Sequence, residues 1–457
     1  MNALLFSAIS GVLMMFSGIS VKRNATVRGL AIVLLLVVLA GTILDLQGVR
    51  LLHINTEGML GFSRFSSLFM LVAVVSTLAY FLLSARDMEA VGNHYSEYFA
   101  LIFFILTGVA MTAGFQSLLI LFLGIEVLSI PLYILAGAEK NNLKSNEAAL
   151  KYFLMGSFST GLLLMGIALV YGATGTFATV PFTPADGKVP VLLTTGMMML
   201  LFGLSFKVSA APFHFWTPDV YDGSPTVFTS FMATVVKAAG FIAFMRLFND
   251  AFSNIAPQWK LLVAVIVAVT LFVGNITAVF QQSVKRMLAY SSIAQAGFMM
   301  MAVYALNSDA QDGLILYAAA YSFATIGIFA VLIRMKDQSF EGFNGFARQQ
   351  PLLAATLVVF LLSLAGIPLT AGFLSKLYML RATMQAGSLA LPLFAVLMAA
   401  ISVYYYFRLL QAMYFREGNS GATLQVTGGF KVTLVLLAAA TILLGVFPEL
   451  LTQWLYF

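Results

Sequence analysis

Four ionisable side chains stand where a lipid-spanning helix has no ordinary use for them. Glu126 lies in LLILFLGIEVLSIPLYIL, Lys207 in MMMLLFGLSFKVSAAPF, Lys237 in SPTVFTSFMATVVKAAGFIAFMRLF and Lys376 in LAGIPLTAGFLSKLYML. A charge at the centre of a spanning helix costs about 2.5–3.5 kcal/mol on the insertion scale, so it is retained where it faces a polar cavity or a partner. The chemistry on offer is proton transfer. Desolvation disfavours the charged form of a lysine, and a nearby carboxylate restores it. Moving that carboxylate's proton or partner switches the lysine between loaded and unloaded states. One carboxylate and three amines are the parts of such a relay, with water between them. Snorkelling to the interface is the competing reading for a lysine, and Lys376, nearer a span end, is more open to it than Lys237. For Glu126 the competitor is a structural ion pair between two helices.

Three of the four lie beside helix breakers. Pro131 follows Glu126 by five positions and removes a backbone bond to Val127; Pro212 follows Lys207 by five and frees the carbonyl of Val208. Gly366, Pro368 and Gly372 precede Lys376. Interrupted helices at membrane depth are tolerated only where they are buried in protein or line a wet cavity. In transporters they mark ion sites. Proline also kinks spanning helices with no further role, and both readings stay open for Pro131.

Holding such groups requires a membrane bundle, and the composition agrees. Of 457 residues, 61% are hydrophobic and 9% charged, whereas a soluble domain is about a quarter charged. Too few polar groups remain to cover a water-facing surface. The net charge of +6 does not point to nucleic acid, because Lys and Arg sit in short connections between apolar runs. That placement orients membrane helices. Cysteine is absent, which excludes disulfides, thiolate metal sites and iron–sulfur ligation by this chain. His53, His94 and His214 are widely separated, and no pair has metal-ligand spacing. Met1 to Ser10 lacks a positive n-region and reads as a first span, not a cleaved signal.

With about 20 apolar residues per crossing, the chain divides into about fourteen spans near 2–20, 26–46, 64–84, 96–113, 116–138, 147–172, 190–211, 226–248, 260–280, 286–306, 312–335, 351–382, 387–413 and 428–453. The predicted fold class is all-α, a single polytopic transmembrane domain over 1–457. With the N-terminus outside, inside connections hold fifteen Lys and Arg against six outside, and both termini lie outside. Three N-terminal helices (1–95) precede a first set of five, helices 4–8 (96–250), and a second set, helices 9–13 (260–413); a C-terminal helix (428–453) follows. Five is odd, so the second set enters the membrane from the opposite side. Its fourth member, span twelve, and that of the first set, span seven, are both interrupted and both carry a lysine. This is the pattern of inverted repeats. Lys237 has no charged counterpart at the centre of span thirteen.

Other polar features are accessory. Glu147 and Lys151, at i and i+4 in NEAALKYF, form either a surface helical pair or part of proton uptake. His214, in PFHFWTPD, either relays protons or rests at an interface with Trp216. Tyr404, Tyr405 and Tyr406 read as packing or belt surface. Gly187-Lys188 is not a phosphate loop, since Val189 follows and the glycine spacing is wrong. YGATG near Gly172 lacks the strand and spacing of a dinucleotide fingerprint. No metal or redox cofactor is expected on this chain.

Together the runs FLGIEVLSIPLYILAG, SNEAALKYFLMGSFSTGLLLMGIALVYGATGT, SFKVSAAPFHFWTPDVYDGSPT, KRMLAYSSIAQAG and LAGIPLTAGFLSKLYML resemble the antiporter-like membrane subunits of respiratory complex I, NADH-quinone oxidoreductase. They are spread over about 95–415, most of the bundle. The resemblance implies one of three related proton channels in a membrane arm, driven by electron transfer from NADH to quinone elsewhere. NADH, FMN, iron–sulfur clusters and quinone would then sit on partner subunits. It also implies other membrane-arm subunits as partners, related antiporter-like ones among them, in an energy-transducing membrane such as the bacterial inner (plasma) membrane. Glu126 matches the family's fifth-helix glutamate, Lys207 the lysine of broken helix seven, Lys237 the eighth-helix lysine and Lys376 the lysine of broken helix twelve. In family terms Glu126 tunes Lys207, Lys237 passes the proton on and Lys376 releases it outward. A lysine at 376 favours the subunit N branch over subunit M, and the chain's end at Phe457 disfavours subunit L. Many relatives carry histidine where Gln295 stands; glutamine orients a water but cannot ionise, so a relay role there is indirect. An Mrp-type cation/proton antiporter subunit shares the fold and the buried Glu and Lys, and is the alternative. A third reading is an assembly subunit whose charges only hold helices together.

Overall fold

The computed structural model describes residues 1–52, 54–183, 188–418 and 426–456; His53, Gly187 and Phe457 lie outside the described residues. Regular structure among those described is helical. The N-terminal helices are α1 (Asn2–Ser20), α2 (Asn24–Leu46) and α3 (Arg64–Ser84). Then come α4 (Tyr95–Gly114), α5 (Leu118–Ala136), α6 (Leu143–Thr174), α7 (Val191–Lys207), α8 (Trp216–Gly223), α9 (Thr226–Phe231) and α10 (Lys237–Phe252). The second half holds α11 (Lys260–Val279), α12 (Val284–Ala305), α13 (Ser308–Leu332), α14 (Phe346–Gln349), α15 (Pro351–Ala365), α16 (Ala371–Gln385) and α17 (Ala390–Phe415). Finally α18 (Gly428–Val446) and the short α19 (Glu449–Thr452) close the chain.

Apolar residues drive these segments into helices, because lipid offers no partner to an unpaired backbone group. Polar side chains set the starts. Ser117 accepts from Leu119 N to begin α5, Asn142 from Lys144 N to begin α6, and Ser283 from Arg286 N to begin α12. Among the described residues, twelve helices are long and apolar enough to cross a membrane. The two expected spans missing from this set are the interrupted ones. α7 has 17 residues, and α15 and α16 have 15 each. Counting the bent pair Glu341–Gln349 and Pro351–Ala365 as one crossing gives thirteen; the bend is 119°.

Three boundaries differ from expectation. The last span stops at Val446, not at 453, because Pro448 cannot continue the helix. Span eight runs from Thr226 to Gln258, and a π-helical turn at Met232–Val236 lies inside it. The break in span seven begins at Val208 and turns through Ser209, whose φ is +64°. Val208 is already past the helix end, so Pro212 frees no helical carbonyl there.

α13 and the Thr226–Gln258 segment form the centre of the bundle, whereas α1, α2, α6 and α18 are largely exposed at its rim. In the first set α4 packs along α5 and α6 along α7; in the second α11 packs along α12 and α13 along α15 and α16. The two sets meet where α8 and α10 touch α12 and α9 touches α13. At that seam Lys237, at the start of α10, meets Ser292 of α12.

Candidate functional site

Helix α5 spaces Glu126, Ser129 and Tyr133 at i, i+3 and i+7, on one face. Pro131 is accommodated inside this helix without ending it. That face meets Lys207, the last residue of α7. Lys207 Nζ donates to Ser129 Oγ at 3.1 Å, Tyr133 OH at 3.3 Å and Thr160 Oγ1 at 3.3 Å. An ammonium has three donors, and here each finds a hydroxyl. Thr160, on α6, gives its own proton to Glu126 Oε1 at 2.7 Å. Glu126 and Lys207 are therefore joined through a threonine. Tyr133 reaches the site because Gly156 leaves room on α6; a Cβ there would collide with the tyrosine hydroxyl.

Lys237 follows directly on the π-helical turn of span eight. It is 2% exposed, and Lys376 is 6% exposed, so snorkelling is not what these two lysines do. Lys237 Nζ donates to the Ser292 carbonyl at 3.1 Å and to the Ser292 hydroxyl, and it lies 5.7 Å from the centre of the Tyr221 ring. Helix α12 thus presents Ser292 to Lys237. One residue back, Ser291 pairs with Tyr406 OH at 2.5 Å. Gln295 Nε2 donates to Tyr406 OH at 3.0 Å and to the Leu364 carbonyl at 2.9 Å, and Gln295 Oε1 accepts from Tyr317 OH.

Lys376 shares that Leu364 carbonyl. Its Nζ donates to Leu364 O at 2.7 Å and Ala365 O at 3.1 Å. These are carbonyls left without helical partners where α15 ends. The end is made by Gly366, at φ +86°, and a Cβ at that position would lie 2.9 Å from Lys376 Cδ. A cavity of about 10 Å³ is lined by Gln295, Tyr317, Tyr321, Ser363, Gly372 and Lys376, room for about one water.

The four expected residues thus fall into two groups. Glu126 and Lys207 share one cluster; Lys237 and Lys376 flank α12. Among the described residues, no hydrogen bond links the Lys207 cluster to Lys237. In the break after α7, His214 is buried and its Nδ1 has no partner among the described residues. Glu126 and Lys207 are only partly buried. They lie closer to the bundle surface than Lys237 and Lys376 do.

The Glu147–Lys151 pair is formed at 2.7 Å and is one end of a larger network. Lys151 also meets Asp219 at 2.8 Å, and Arg286 meets Asp219 at 3.2 Å and Asp222 at 3.8 Å. Hydrogen bonding from Lys151, then the charges of Lys151 and Arg286, hold the Asp219 carboxyl below the usual range against a desolvation that raises it. Lys285, at the start of α12, is 5% exposed and donates to the Asp222 and Ser224 carbonyls at 2.8 and 2.7 Å. It closes the C-terminal end of α8. Tyr405 and Tyr406 take the packing alternative: both are fully buried, and Tyr405 OH donates to Asn275 Oδ1 at 3.0 Å. Tyr404 is exposed, as expected of a belt. Among the described residues, no group of three His, Asp or Glu is placed to hold a metal.

Sequence reasoning overlooked Thr160, Ser129, Tyr133 and Ser292. The Glu126–Ser129–Tyr133 stripe was readable from helical spacing; Thr160 and Ser292 carry no comparable signal.

Known proteins share this fold. Residues 115–402 match the NADH:quinone oxidoreductase/Mrp antiporter transmembrane family. The chain is 41% identical over 400 residues to NADH-quinone oxidoreductase subunit N of Cytophaga hutchinsonii, covering 87% of each. It is 39% identical over 438 residues to subunit N of Desulforamulus reducens, covering 93% of this chain and 90% of that one. A chain of respiratory complex I from Thermus thermophilus superposes with a TM-score of 0.85 at 32% identity, covering 99% of this chain and 98% of that one. A chain of the Mrp complex from Dietzia sp. superposes equally, at 0.85, with 18% identity and coverage of 99% and 96%, which shows the fold alone. With relatives this similar over nearly the whole bundle, the chain belongs to the subunit N family of NADH-quinone oxidoreductases, the antiporter-like membrane subunits of complex I.

Proposed function

We propose that this chain moves protons across an energy-transducing membrane through Glu126, Lys207, Lys237 and Lys376, while partner subunits carry NADH, FMN, iron–sulfur clusters and quinone. One observation supports this above the others. Each interior lysine is held by hydroxyls or carbonyls, and none by a carboxylate at salt-bridge distance among the described residues. A lysine locked to a carboxylate is fixed in its charged form. Hydroxyls accept from an ammonium and can donate to a neutral amine, so they support both states. Gln295, with the Leu364 carbonyl it shares with Lys376, acts by orienting groups, since it cannot ionise.

The partial exposure of Glu126 and Lys207 supports a neighbouring membrane subunit over this face. Around them Leu123, Ile130 and Phe158 are 47%, 51% and 70% exposed, and a carboxylate there is costly against bare lipid. The Glu147–Lys151–Asp219–Arg286 network, in the connections assigned to the inside, is suited to proton uptake. In this proposal the bundle holds two inverted five-helix sets, 96–250 and 260–413, with both termini outside.

Purification through a tag on this chain tests the assignment against an Mrp-type cation/proton antiporter. The expected co-purifying set oxidises NADH, carries flavin and iron–sulfur clusters, and acidifies vesicles when given NADH and quinone. A set that instead exchanges Na⁺ for H⁺ without NADH oxidation contradicts it.

A further inference from the structure

Threonines in these spans usually spend their proton on their own helix. Thr42, Thr77, Thr107, Thr234, Thr383 and Thr441 each donate to the carbonyl four residues back. Thr160 does not follow them. Its hydroxyl donates to Glu126 Oε1 at 2.7 Å and accepts from Lys207 Nζ at 3.3 Å. Its position is fixed on both sides. The adjacent Ser159 ties α6 to α7 through the Gly203 carbonyl at 3.0 Å, and Gly156 seats Tyr133 of α5 against the same helix. Among the described residues, Glu126 and Lys207 make no direct ion pair within 4.0 Å.

We propose that the Thr160 hydroxyl is a required relay through which Glu126 and Lys207 exchange a proton. This rests on the proton-conducting reading above and adds a residue to it. A threonine hydroxyl has one proton and two acceptor lone pairs. In the observed arrangement it donates to a carboxylate and accepts from an ammonium. The opposite arrangement has a carboxylic acid donating to Thr160, and Thr160 donating to a neutral amine. Passing from the second to the first breaks the O–H bond at Glu126 and forms one at Thr160. The original Thr160 O–H breaks as an N–H bond forms on the Lys207 lone pair. One proton moves in net, a neutral pair becomes an ion pair, and no heavy atom has to shift. The side chain thereby couples the protonation of Glu126 to that of Lys207 without bringing them into contact.

The test compares Thr160→Val, Thr160→Ser and Glu126→Gln in the whole complex, reading assembly on native gels and protons moved per NADH oxidised in sealed vesicles. Thr160→Val keeps the shape and loses the hydroxyl; its ratio is expected to fall to the Glu126→Gln level, whereas Thr160→Ser keeps the parent ratio. Where the valine variant fails to assemble, Thr160→Ala decides in its place. A hydroxyl-free variant that assembles and pumps at the parent ratio, beside a defective Glu126→Gln, overturns the relay and leaves the proton-conducting reading standing. A parent ratio in Glu126→Gln as well overturns both.

Discussion

Lys207 is satisfied by three hydroxyls from two helices, and the cluster's energetics follow from that arrangement. Deleting one acceptor leaves an N–H of a partly buried ammonium unmet, a loss of about 1–3 kcal/mol. Tyr133→Phe is therefore expected to lower the apparent melting temperature of the purified complex; a variant that melts with the parent would remove Tyr133 from the cage. The four ionisable residues were legible because a charge among apolar residues is expensive and so rarely accidental. Their hydroxyl partners were not. Serine and threonine are cheap in spanning helices because they can bond their own backbone, and Thr160 resembles any other threonine until its neighbour across the helix gap is known. Which of Tyr404, Tyr405 and Tyr406 pack inside and which face outward was left open by the sequence. Three consecutive tyrosines occupy three different faces of a helix, and only contacts decide which are inside.

Among the elements, the breaks do most to position the chemistry. Gly366 ends α15 in a left-handed conformation and leaves Leu364 and Ala365 carbonyls for Lys376. An L side chain at that φ costs about 1–2 kcal/mol, and its Cβ would press on the Lys376 chain. Gly366→Ala should therefore destabilise the α15–α16 junction, seen as faster hydrogen exchange over residues 367–370; unchanged exchange there contradicts this account of the break. Glycine and proline made this interruption readable beforehand. The interruption after Lys207 was placed nearby but attributed to Pro212, whereas the chain turns at Ser209, a residue with no such signature. The π-helical turn before Lys237 was equally unreadable, since one extra residue in a helical turn leaves no mark on composition. Lys285 belongs to this scale too: near the start of α12, it caps the C-terminal end of α8.

For the molecule as a whole, hydropathy and charge bias were sufficient for an all-helical membrane bundle, because the bilayer permits so few alternatives. The count of crossings was less accessible, since broken spans fail any length criterion and the bend before α15 makes a thirteenth crossing a matter of definition. Packing in the two five-helix sets runs in parallel, with α6 on α7 and α13 on α15 and α16. Lys237 and Lys376 are buried against α12; Glu126 and Lys207 lie toward the rim, where a neighbouring subunit would complete their surroundings.

The claim that these amines carry protons, and do not merely hold helices together, is tested most directly by Lys237→Ala in the assembled complex. Protons moved per NADH oxidised, measured in sealed vesicles with assembly matched on native gels, are predicted to fall by this subunit's whole contribution. An assembled Lys237→Ala complex that translocates at the parent ratio would contradict the account.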